Sequence, residues 1–112
     1  MKVLYHPERD EIQLSSVLYA LSDPIRLSVV AEMRRCGEQP CNYFEVPIAK
    51  STLSHHIRTL REAGVISTRI QGTQRFISLR EVDLESRFPG LLTSILEAYE
   101  KTEHKELNVK SK

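Results

Sequence analysis

Lys50-Ser51-Thr52-Leu53-Ser54-His55-His56-Ile57-Arg58-Thr59-Leu60-Arg61-Glu62-Ala63-Gly64 is the stretch that decides how this chain is read. Leu53, Ile57 and Leu60 recur at i, i+4 and i+7, so residues 50–63 make a helix with one apolar stripe, and Gly64 ends it. The opposite face carries Ser51, Thr52, Ser54, His55, Arg58 and Arg61: hydroxyls, an imidazole and guanidiniums without one acid. Downstream, residues 65–70 and 75–79 are β-rich runs separated by Gln71-Gly72-Thr73-Gln74, a hairpin with a Gly-containing turn. Upstream, residues 41–46 leave room only for a short helix before Pro47-Ile48-Ala49.

Further out, Leu14, Val17, Leu18 and Leu21 form the apolar stripe of a first helix over residues 11–21. Ser22-Asp23-Pro24 ends it and starts the next, with Asp23 as cap and Pro24 in the first helical position. The second helix sets Ile25, Val29, Val30 and Met33 on one side and Arg26, Glu32, Arg34 and Arg35 mostly elsewhere. Gly37 stops it just after Cys36. Past the hairpin, a linker through Phe88-Pro89-Gly90 leads to a last helix over residues 91–104, bearing Leu91, Leu92, Ile95, Leu96 and Tyr99. The tail from Lys105 to Lys112 is expected to fray. The order is helix, helix, short helix, helix, hairpin, helix: a mainly α chain with a β-hairpin.

A chain of 112 residues makes one domain, residues 1–112 with a core over about 10–100. Aromatics are 6% with no Trp, which argues against base-stacking platforms and sugar-binding aromatic clefts. The formal charge of +1 conceals a division. Residues 50–80 carry six basic groups against the single acid Glu62, a net +5, while residues 1–49 and 81–112 are each −2. Charge alone does not rise above an Arg-rich solvated surface. No stretch approaches the roughly 20 apolar residues of a membrane span, and Val3-Leu4-Tyr5 is too short for a signal-peptide core. Two cysteines without an export signal read as reduced thiols, so the expected setting is cytoplasmic, with no membrane partner.

Order and chemistry together are more specific. A short helix, a tight turn and a helix with a polar, acid-free outer face make a helix-turn-helix, whose second helix the DNA major groove admits. A hairpin directly afterwards, tipped with Gln71, Thr73, Gln74 and Arg75, is the wing of a winged helix. Ser and Thr reach phosphates or base edges, His and Gln donate to base acceptors, and Arg neutralises phosphate. The expected DNA contacts are Lys50, Ser51, Thr52, Ser54, His55 and Arg58 on the helix, with Gln71, Thr73, Gln74 and Arg75 on the wing. His55 and His56 point about a third of a turn apart, too divergent to chelate one ion. His56 lies nearer the buried stripe and is expected to be hydrogen-bonded beneath the helix.

Ala20-Leu21-Ser22-Asp23-Pro24-Ile25-Arg26-Leu27 resembles the A-L-(A/S)-D-P-x-R-L signature of the ArsR/SmtB transcriptional regulators. Residues 50–66 are similar to that family's recognition helix running into the wing, and the resemblance spans about residues 10–100. It implies a homodimer built on the first and last helices that binds operator DNA as a repressor. Metal-sensing members carry a Cys-x-Cys pair in the third helix, where this chain has Cys41-Asn42-Tyr43. Others use carboxylate and imidazole ligands on the last helix, where this chain offers one histidine, His104. A tight transition-metal site needs about four converging ligands, so neither a metal site nor a cofactor is expected.

The last helix's stripe is broader than a small monomer requires; core packing is the plainer reading, but joined with the first helix a dimer seam is expected from Leu14, Leu18, Leu92, Ile95, Leu96 and Tyr99. Cys36 and Cys41 flank Gly37-Glu38-Gln39-Pro40 and are the candidate redox pair, with two inert thiols as the plainer reading. Ser54 beside His55 lacks a Gly-x-Ser-x-Gly elbow and a third orienting group, so no enzyme is expected. The alternative is a winged-helix module that binds protein rather than DNA, since fold does not dictate function. The residues name no inducer.

Overall fold

Asp23 and Pro24 set the first corner of the fold. In the computed structural model, which describes residues 4–103 and 108–109, Asp23 Oδ2 accepts from the backbone N–H of Ile25 (2.8 Å) and Arg26 (3.1 Å). Helix α1 (Leu14–Ala20) thereby turns into α2 (Pro24–Cys36), which Gly37 ends at φ 80°. Strand β1 (Gln39–Pro40), a 3-10 turn (Cys41–Tyr43) and β2 (Phe44–Glu45) lead to α3 (Lys50–Glu62). The wing is β3 (Ile66–Gln71) and β4 (Gln74–Leu79), followed by α4 (Glu81–Arg87), α5 (Leu91–Thr102) and β5 (Asn108–Val109).

The exit from α3 is a double closure. Gly64 N–H bonds to Arg61 O and Val65 N–H to Leu60 O, both at 3.0 Å, and Leu60 and Val65 are fully buried beside them. Gly64 has φ 90°, and a Cβ there would sit 2.6 Å from the Ile12 side chain. Only glycine allows both the left-handed turn and the close approach of Ile12. Val65 and Ile66 then enter the core with Ile77 of β4, with Val29, Val30 and Met33 of α2 across from them.

Several expectations are corrected. The first helix begins at Leu14 because Arg9–Glu11 forms its own 3-10 turn, in which the Glu11 side chain accepts from Glu8 N–H (2.9 Å). The short helix over 41–46 is only one 3-10 turn. Pro40 holds an extended conformation before it, and Phe44–Glu45 pairs antiparallel with Asn108–Val109. That pairing also makes 108–109 a strand within the tail expected to fray; residues 104–107, with His104, and 110–112 lie outside the described residues. β1 adds a third strand to the wing, in the order β1-β4-β3. The linker before Phe88 contains a helix, α4, whose period is hidden because Leu84 alone is buried while Val82 is 81% exposed.

The largest correction concerns α5. Leu92, Leu96 and Tyr99, expected at a seam between copies, are buried within the single chain, where they join its own core. α5 packs on α2 and α4, and Tyr99 Oη shares a 2.9 Å hydrogen bond with Ser28 Oγ. Ile95 stays half-buried, and Leu14 and Leu18 on α1 are each 45% exposed.

Candidate nucleic-acid interface

Helix α3 is entered through Ala49, which offers no side-chain cap, so no capping side chain takes up its first backbone N–H groups beside Lys50, Ser51 and Thr52. Ser51, Ser54, His55 and Arg58 follow at i, i+3, i+4 and i+7 and are all exposed. One stripe of the helix thus carries two hydroxyls, an imidazole and a guanidinium. Arg58 Nη2 donates to His55 Nδ1 (3.2 Å), which leaves the His55 Nε2–H as a donor. A donor in that position matches the N7 and O6 acceptors of a purine edge. On the wing, Gln71 and Gln74 pair across a two-residue turn of Gly72 (φ 63°) and Thr73, and all four residues are exposed together with Arg75. All ten expected DNA contacts lie on the surface, on α3 or at the wing tip.

The basic count over 50–80 overstates the field that reaches solvent. Arg61 is buried and donates to Tyr5 O (3.0 Å). Arg80 donates to Asp83 (2.9 and 3.0 Å) and to Pro7 O (2.8 Å). Arg69 lies over the Phe76 ring at 4.7 Å, donates to Gln71 Oε1 (2.6 Å) and pairs with both Glu38 oxygens (3.0 and 3.2 Å). Its hydrogen bonds hold the Glu38 carboxyl below its usual value. Lys50, Arg58 and Arg75 are the basic groups left facing outward.

Beneath α3 lies a polar belt. Arg26, read as lying off the apolar side of α2, is buried: Nε donates to Ala20 O (2.6 Å) and Nη1 to His56 Nδ1 (2.9 Å). His56 Nε2 lies 3.9 Å from Asp23 Oδ2, so the imidazole links the α2 cap to the recognition helix. The expectation that His56 bonds under the helix is met. Asp23 and Arg26 of the Asp-Pro-x-Arg stretch both take part, and sequence reasoning missed the arginine. Glu32 is likewise buried. Burial pushes its carboxyl up, but hydrogen bonds from Cys36 (3.1 Å), Arg35 and Tyr43 (2.9 Å) outweigh that and hold it below its usual value. The Tyr43 hydroxyl, bonded to Cys36 and Glu32, is pushed well up. This cluster ties the end of α2 to the turn that leads into α3.

The cysteines have separate surroundings. Cys36 Sγ donates to Glu32, so a bond to Cys41 would cost the carboxylate a donor. Cys41 is half-buried, and burial pushes its thiol up despite the opposing Arg75 charge, away from the thiolate that reacts with oxidants. Among the described residues no three His, Cys, Asp or Glu side chains converge as a metal group, and Cys41-Asn42-Tyr43 does not match a thiolate pair. No single helix among them is long and apolar enough to cross a membrane.

The comparisons agree with this geometry. The model of the bacterial regulatory protein arsR family matches residues 23–68, from the Asp23 cap through the first half of β3. An HTH-type transcriptional regulator of Bacillus subtilis, YceK, is 35% identical over 94 residues, covering 77% of this chain and 88% of that protein. The arsenical resistance operon repressor of Staphylococcus xylosus is 33% identical over 75 residues, covering 65% of this chain and 71% of that protein. Among solved structures, the transcriptional repressor BigR from Xylella fastidiosa superposes with a TM-score of 0.60 at 25% identity, over 83% of this chain and 88% of that one. With the corner at Asp23, the exposed stripe of α3 and the wing in place, the chain belongs to the arsR family of bacterial regulatory proteins and is a DNA-binding transcriptional regulator of winged helix-turn-helix fold.

Proposed function

We propose that the protein is a cytoplasmic homodimeric repressor, not an enzyme, that occupies a pseudo-palindromic operator. The reading rests on one observation: the outward stripe of α3 exposes Ser51, Ser54, His55 and Arg58 without an acid, beside a wing tip carrying Arg75. In this reading α3 lies in the major groove, Ser51, Thr52 and His55 read base edges, and Lys50, Arg58 and Arg75 hold phosphates. Gln74 and Thr73 meet the adjacent backbone, while Gln71 serves partly to hold Arg69. One such helix spans too few base pairs for useful specificity, which a two-fold dimer remedies by reading half-sites about 34 Å apart. The open apolar residues of α1, Leu14 and Leu18, together with Ile95 on α5, support a seam there. The test is selection from a random duplex pool followed by footprinting. An inverted repeat protected in two patches one helical turn apart is expected; binding without sequence enrichment would overturn the reading.

A further inference from the structure

A cleft of about 560 Å³ opens between the polar stripe of α3 and the wing, with Cys41 and the N-terminal arm at its edge. Arg58, Arg61 and Arg75 line it and no carboxylate does; Arg61 is already held by Tyr5 O and by Glu62 (3.7 Å), so Arg58 and Arg75 carry its open positive charge. Leu4, Leu53 and Ile57 give it an apolar part, beside Ser51, Ser54 and His55 of the α3 stripe. Thr68, 9% exposed, also lines it, and its Oγ1 is the buried side-chain polar atom among the described residues that has no hydrogen-bond partner. Buried hydroxyls are normally paired, so an unpaired one beside a cleft marks a position for a ligand or water atom.

The arm holds this arrangement in place. His6 Nε2 accepts from Thr68 N–H (2.9 Å) while His6 Nδ1 donates to Leu4 O (3.2 Å), and Arg61 Nε donates to Tyr5 O. The Thr68 backbone is therefore satisfied and only its hydroxyl is left over. A DNA phosphate running between α3 and the wing would meet Arg58 and Arg75 and would leave Leu4, Leu53 and Ile57 without a partner. The enclosed volume and the meeting of cationic, hydroxyl and apolar side chains suit a small amphipathic anion, which would share Ser51, Ser54, His55, Arg58 and Arg75 with the DNA-reading face.

We propose that this cleft binds a small organic anion, a carboxylate on a compact apolar body, and that the bound anion excludes DNA directly. The carboxylate sits among the arginines and accepts from Thr68 Oγ1, and the apolar body covers Leu4, Leu53 and Ile57. The exclusion of DNA rests on the proposed function; the binding of the anion does not.

Benzoate, its neutral counterpart benzyl alcohol and inorganic phosphate serve as probes, read by the methyl resonances of Leu4, Leu53, Ile57 and Thr68 in the full chain. Operator binding is measured in parallel on the selected duplex. Benzoate is expected to shift these methyls saturably and to weaken DNA binding at least about tenfold at saturation, with benzyl alcohol doing neither at the same concentration. Thr68→Val, which keeps shape and removes the hydroxyl, is expected to bind DNA as wild type does and to weaken benzoate about tenfold. Absent or non-saturable shifts, equal effects of phosphate and benzoate, or saturable binding that leaves DNA affinity unchanged would each overturn the proposal. A wild-type chain that binds no DNA at all would instead sink the proposed function, with the methyl shifts still deciding the cleft.

Discussion

The outer face of α3 and the belt beneath it use the same residue types to opposite ends. Outside, Arg58 and His55 are exposed and bond only to each other, so their remaining donors face solvent. Inside, Arg26 and His56 bond to each other, to the end of α1 and toward the α2 cap. A buried polar group without partners is costly, so the belt is complete by necessity. An exposed one loses little by waiting, so the face can be left open for nucleic acid. Adjacent histidines on one helix thus have different surroundings: His56 ties α3 to α2, and His55 stands exposed, where the proposed function has it read a base.

The sharpest way to break this contrast is to put charge on each side of it. Leu96→Asp sits in the core and is expected to cost more than about 4 kcal/mol, leaving no cooperative urea transition. Leu18→Asp, on open α1 surface, is expected to keep the transition while sedimentation shows the dimer lost. A folded Leu96→Asp monomer would return α5 to the seam. Next in size, Arg26→Ala takes the donors from Ala20 O and His56 Nδ1 and is expected to cost about 2–4 kcal/mol in urea unfolding. Arg58→Ala should leave stability within about 0.5 kcal/mol.

On the reading side, Ser51→Ala, Thr52→Ala or His55→Ala is expected to relax base preference by roughly 1–3 kcal/mol in competition against mismatched duplexes. Arg58→Ala or Arg75→Ala should weaken all sequences alike and reduce the salt slope by about 1, whereas Arg69→Ala, already neutralised by Glu38, should leave the slope nearly unchanged. The smallest effect concerns Glu32. Its folded carboxyl sits below the unfolded value of 4.5, so it contributes stability above that pH, which is lost as pH falls through the folded value. Urea midpoints from pH 7 down to 3 should therefore decline less steeply in Glu32→Gln than in wild type.

Local rules reached far into this chain. Asp23, Pro24, Gly37, Gly64 and Gly72 were legible as corners because capping and left-handed turns involve partners within a few residues. The exposed polar stripe of α3 was legible because an acid-free helix face is a property of one 13-residue segment. Arg26, Arg61 and His6 were not, since their partners lie 30, 56 and 62 residues away and periodicity carries no information over that distance. The third helix was misread for the same reason: its segment pairs with residues near the far end of the chain.

Sequence by itself determined helices α1, α2, α3 and α5, the β3–β4 hairpin, the corners and the polar identity of α3, because these follow from backbone sterics and from which side chains share a helical face. Tertiary structure alone decided which apolar residues of α5 are core and which positive charges are already used. It also decided that the Thr68 hydroxyl would stand buried and unpaired beside a basic cleft. Burial and pairing depend on what the rest of the chain brings alongside, and an apolar stripe looks the same whether its own core or a second copy covers it.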